Sequence, residues 1–121
     1  MSAGFTLDGT RYEWFPLDMI QVREQIRVEH WLSGGGKEYT DAKTWDDVLA
    51  IAEEINSLPD WKAQQTHPQF KLSLSISIWA AKVGAGEEIS LADAIGRWNW
   101  EQLDFWSDGD SEPGGKGLAA P

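Results

Sequence analysis

Residues Pro68 to Gly84, PQFKLSLSISIWAAKVG, form the most apolar run of the chain, and their periodicity decides the fold. Leu72, Leu74, Ile76 and Ile78 alternate with Ser73, Ser75 and Ser77, the pattern of a half-buried strand. Leu72, Ile76, Trp79 and Val83 also fall at i, i+4, i+7 and i+11, a single stripe on a helix. Phe70, Leu74, Ile78 and Ala81 line the other side of that helix. The alternation fails at Trp79-Ala80-Ala81-Lys82, where alanine favours helix. Seventeen residues is long for a strand and ordinary for a helix, with Pro68 in the first turn and Gly84 at the end. A helix apolar on two faces must be covered from both sides. This run is therefore expected to be a central helix around which the other elements pack.

The composition narrows the function classes. A chain of 121 residues with 41% hydrophobic content is one domain with an ordinary core. It contains no cysteine, which removes disulfides, thiol nucleophiles and thiolate metal sites together and fits a reducing cytoplasm. No run approaches the ~20 apolar residues a membrane span needs, and the first residues do not form a signal peptide, so a soluble intracellular protein is expected. The net charge is −10, from 20 acidic and 10 basic residues. Nucleic acids and anionic membranes are bound by neutralising phosphates, so neither is an expected partner. Eight tryptophans are present, and Trp fills cores and interfaces alike.

Toward the N-terminus, Phe5 to Phe15 carries the hairpin signal. Asp8-Gly9 supplies the positive φ angles of a type I′ turn between Phe5/Leu7 and Tyr12/Trp14. Such a hairpin needs a helix under its apolar face. Leu17 to Leu32 reads as the first helix, with Met19, Val22 and Ile26 in one stripe and Leu17, Ile20, Val28 and Trp31 in a second. Ser33 to Gly36 ends it as a flexible exit. Gly36-Lys37 is followed by Glu38 where a phosphate-binding loop needs Ser or Thr, so no such loop is expected. Thr44 caps a second helix with Asp46 and Asp47 in its first turn, and Val48, Ile51, Ala52, Ile55 and Leu58 give it an amphipathic stripe. Pro59 to His67 reads as a loop anchored by Trp61. Beyond the central helix, Ser90 heads a short helix from Leu91 to Gly96.

The fold class that follows is α+β, mostly α: a short N-terminal β-hairpin packed on a bundle of about four helices. The globular part is expected over 1–107. Residues 108–121 are expected to form a flexible acidic Gly/Pro-containing tail, too poor in large apolar groups to offset its ordering entropy.

No catalytic constellation emerges. His30 and His67 have no obvious partner, and no spacing suggests a metal site or a cofactor. The pairs Asp46-Asp47, Glu53-Glu54 and Glu87-Glu88 are adjacent in sequence; helix neighbours point about 100° apart and do not converge as a dyad. Serines 73, 75 and 77 are expected to bond back to helix carbonyls or to allow close helix approach. The remaining concentration of chemistry is Trp98 to Trp106. Trp98, Trp100, Leu103, Phe105 and Trp106 place five large apolar groups in nine residues. Either this segment folds back to cap the core, or some of its rings form an exposed anchor surface for a partner.

The order of these pieces resembles a known family. A FTLDGTRYEW hairpin (5–14) precedes the helix VREQIRVEHWLSG (22–34). An apolar helix ending in IWAAKVG (78–84) then precedes ISLADAIGRWNWEQLDF (89–105) and an acidic tail. This series is similar to the tail assembly chaperones of long-tailed phages, in particular those infecting actinobacteria. The resemblance implies a non-enzymatic factor of the host cytoplasm, absent from the mature virion, that binds the tape measure protein and recruits tail tube subunits. It also implies a longer product made by ribosomal frameshifting, for which Gly114 to Gly117 is a candidate slippery region. Self-association as a homo-oligomer is compatible with the Trp excess. The competing reading of the −10 charge is an acidic nucleic-acid mimic that inhibits a DNA-binding host enzyme.

Overall fold

The structure is a computed structural model that describes residues 3–107. The expected tail, 108–121, and the Gly114–Gly117 region lie outside the described residues.

Strands β1 (Ala3–Leu7) and β2 (Thr10–Glu13) pair antiparallel with Phe5 opposite Tyr12 and Leu7 opposite Thr10. Asp8 and Gly9 take φ of 50° and 86°, the two left-handed residues a type I′ turn requires. A third strand, β3 (Leu103–Ser107), lies on the other side of β1, giving the order β2-β1-β3. Phe5 faces Phe105 and Leu7 faces Leu103 across this pairing. The end of the Trp98–Trp106 segment is therefore a sheet strand, and the hairpin gains the partner that a lone pair of strands lacks.

Helix α1 spans Val22–Ser33 and is shorter than the expected Leu17–Leu32. Leu17–Met19 instead forms one 3₁₀ turn, after which Ile20 and Gln21 are extended. Ile20 is buried there, and its carbonyl accepts from the Gln25 side chain at 2.8 Å. The break trades helix for burial of one large side chain. The glycine-rich exit is also more ordered than expected: Gly35–Glu38 forms a 3₁₀ turn, Gly36 is buried against Trp31, and Trp31 stacks on Tyr39 at 5.9 Å.

Helix α2 (Trp45–Asn56) starts at a full capping box. The Thr44 hydroxyl accepts from the Asp47 N–H at 3.2 Å, and the Asp47 carboxylate accepts from the Thr44 N–H at 3.1 Å. Pro59 to His67 is not a loop throughout. Asp60 accepts from the Ala63 N–H at 2.8 Å and caps α3 (Trp61–Thr66), whose six residues are too few to show a period. Trp61 does anchor this stretch, edge-on to Phe70 at 5.5 Å and to Phe105 at 5.6 Å.

Helix α4 (Phe70–Gly84) is the central element. Phe70, Leu74, Ile78 and Ala81 pack with Phe5, Leu7 and Leu103 under the sheet. Ile76, Trp79 and Ala80 pack with Val28, Leu32 and Val48 on the opposite side, with Leu72 and Val83 at its margin. These are the two stripes read from the sequence. The short helix α5 (Leu91–Ile95) follows, capped by Ser90 and lying against α4 through Leu91 and Ala94. Trp79 ties the pair together by donating its indole N–H to the Ile89 carbonyl at 3.0 Å.

Candidate functional site

Two surfaces concentrate apolar area, and α4 separates the cores beneath them. The first is on α1. Met19, Val22 and Ile26 are 66%, 67% and 60% exposed. Val22 and Ile26, four positions apart, share the outer face of α1, and Met19 lies on the 3₁₀ turn before the extended break at Ile20-Gln21. The second stripe read from this stretch, Leu17, Ile20, Val28 and Trp31, is the one that faces the core. Leaving these three aliphatic side chains exposed forgoes roughly 25 cal/mol for every Å² left wet.

Met19 also lines a cleft of about 760 Å³ between α1 and the loop that joins α4 to α5. Phe15, Ile20, Trp79, Val83 and Ile89 supply further apolar lining. Glu24 is buried in its wall, 3.0 Å from Arg27 and 3.6 Å from Arg23. The two guanidiniums are largely exposed, so the wall is stitched by ion pairs whose outer halves face water.

The loop wall is pinned to the hairpin. The Tyr12 hydroxyl donates to the Glu87 carboxylate, Lys82 lies 3.8 Å from that carboxylate, and its ammonium sits 5.2 Å over the Tyr12 ring. Burial, together with the neighbouring Glu87, pushes the Tyr12 phenol up to about 12.

The second surface is the aromatic cluster built by the C-terminal segment. Trp98 is half-buried and donates its indole N–H to Ser75 at 3.0 Å. Trp100, 44% exposed, stacks on Phe70 at 6.3 Å and meets Trp98 edge-on at 5.2 Å. Leu103 is buried under the sheet, and half-buried Phe105 packs between Trp14 and Trp61. Half-buried Trp106 lies beneath the Arg11 guanidinium at 3.7 Å. The structure thus gathers Trp98, Trp100, Leu103 and Phe105 around the core under the sheet, whereas Trp106, next to Phe105 in β3, lies on the opposite face of the sheet against Gly4 and Arg11. Trp100 presents the largest share of its surface, and Leu103 presents almost none.

Neither histidine joins the cleft. His67 is not partnerless: its Nε2 meets the Glu54 carboxylate, and its Nδ1 accepts from the Gln69 N–H at 3.0 Å. Sequence reasoning missed this pair because its members sit thirteen positions apart on different elements. Ser75 bonds back to the Lys71 carbonyl at 2.9 Å. No group of three or more His, Asp or Glu side chains gathers as a metal site among the described residues. No helix among them is long and apolar enough to cross a membrane.

What sequence reasoning missed is the exposure of Met19, Val22 and Ile26. The signal was a short helix with two apolar stripes and only one neighbouring core to receive them. Comparisons with known protein families, curated proteins and solved structures found no match.

Proposed function

We propose that this chain is a phage tail assembly chaperone, a non-enzymatic factor that holds apolar segments of the tape measure protein and helps bring tail tube subunits to it. The observation that carries this reading is the exposure of Met19, Val22 and Ile26 beside a cleft of mixed apolar and charged lining, in a chain of net charge −10. Aliphatic contact area covers the greasy face of a client, and the surplus of carboxylates keeps the pair dispersed in water. The ordered series of sequence elements from the hairpin to Phe105 supports the same reading. Trp100 extends the contact surface on the aromatic side.

The reading places the protein in the host cytoplasm during assembly and outside the finished virion. Its gene should lie between those of the tail tube and the tape measure protein. Co-expression with the adjacent tape measure protein should keep that protein soluble and co-purify it. A tape measure protein that stays insoluble and unbound contradicts the proposal.

A further inference from the structure

A second groove, of about 570 Å³, lies between residues 14–18 and α2, over α4. That volume falls within the ~300–1,000 Å³ typical of ligand sites. Its apolar walls include Leu17, Leu49, Ile55, Phe70 and Leu74. Gln64, 2% exposed, also lines it, and the Gln64 Oε1 is buried without a hydrogen-bond partner. An uncompensated buried amide oxygen is costly, and the terminal amide torsion is soft enough to turn that oxygen toward a donor. Ser73 and Ser77 lie one helical turn apart along the groove, and neither hydroxyl is hydrogen-bonded among the described residues. Asp18 and Glu53 stand exposed at the edge, while the lining contains no Lys, Arg or His. The cleft beside α1 differs in this respect, since Arg23 and Arg27 line it.

Among the polar groups here, Gln64, Ser73 and Ser77 can accept a hydrogen bond and the two carboxylates carry negative charge, while the buried, unpartnered Trp14 indole N–H can only donate. We propose that this groove is a second binding site, which takes an apolar segment of a partner protein bearing a lysine or arginine among its aliphatic side chains. The proposal rests on the reading that the chain holds a partner polypeptide. Two turns of an amphipathic helix set aliphatic groups at i and i+4 against the half-buried Leu17 and Leu49. A cationic side chain on that helix donates to Gln64 or Ser77, with its charge beside Glu53.

The probe is a short labelled helical peptide of Leu and Lys, titrated into the full chain by fluorescence anisotropy. A matched peptide of Leu and Gln serves as its comparison. The Leu–Lys peptide should bind at least about tenfold more tightly than the Leu–Gln peptide. Glu53→Lys should weaken it about tenfold, whereas Glu38→Lys, an equal charge change at an exposed residue outside the groove, should change it less than about twofold. Ser77→Leu, which fills the groove, should weaken it with the melting temperature kept. Equal losses from Glu53→Lys and Glu38→Lys would mean diffuse charge attraction and would overturn the proposal. Loss caused by Ile26→Glu would do the same, by assigning the peptide to α1. Failure of the tape measure co-purification with these peptide results intact would sink the chaperone reading and leave the groove standing.

Discussion

The indole N–H of Trp98 donates to the hydroxyl of Ser75 at 3.0 Å, and that same hydroxyl donates to the Lys71 carbonyl at 2.9 Å. A serine on the central helix therefore holds the ring that begins the C-terminal segment. Ser75→Ala leaves the partly buried indole N–H without a partner and should cost roughly 1–3 kcal/mol in urea unfolding. Trp98→Phe combined with Ser75→Ala should cost less than the sum of the two single changes. Additive losses would show that the two groups do not interact.

Gly4 sits in the central strand where a Cβ would lie 1.9 Å from the Tyr12 carbonyl oxygen and 2.7 Å from the Trp106 ring. Backbone cannot yield there without breaking the β1–β2 pairing. Gly4→Ala should destabilise the fold by at least about 2 kcal/mol, read by thermal unfolding.

Tyr12 provides an alkaline signature. Its folded pKa is raised from 10.0 to about 12 by burial and by Glu87. The protonated phenol is thus favoured in the folded state, and its contribution is complete below pH 10. Above that the unfolded chain releases the proton first, so stability should fall between about pH 10 and 12. Tyr12→Phe should remove this decline, as followed by unfolding at a series of pH values.

Asp47 provides the acid counterpart. The backbone N–H groups of Lys43 and Thr44 hold its carboxyl below the ordinary value of 3.8. The carboxylate's contribution is present above that value and is lost as pH falls through the lower folded pKa. Asp47→Asn should lower the melting temperature at neutral pH, and the difference from the parent should shrink in strong acid. An undiminished difference at low pH would assign the effect to something other than charge.

Much of this architecture is legible in the sequence. Phe70 to Gly84 announces itself because both stripes repeat over fifteen residues, and each stripe finds its own core. Asp8-Gly9 and Thr44 are local signals that need only neighbouring residues to act. The less legible elements depend on distant ones. Strand β3 is defined by pairing with residues about a hundred positions earlier, and its LDFWS sequence breaks alternation by placing Phe105 beside Trp106. Helix α3 is under two turns long, so Asp60 was the one local signal of it. At the candidate site, the Trp98–Trp106 cluster stood out by composition. Periodicity put Met19, Val22 and Ile26 in one stripe, of which Val22 and Ile26 share a face of α1 while Met19 lies before the break at Ile20-Gln21. Whether a stripe is covered depends on which other elements reach it, and no local pattern encodes that.

The most direct measurement is capture of the proposed client, a phage tape measure protein, by the double variant Val22→Glu/Ile26→Glu, compared with the parent chain. Both side chains are exposed, so the variant should fold with an unchanged melting temperature. The account predicts that it leaves the tape measure protein insoluble and unbound while the parent keeps it in solution. Undiminished capture by the folded variant would contradict the account.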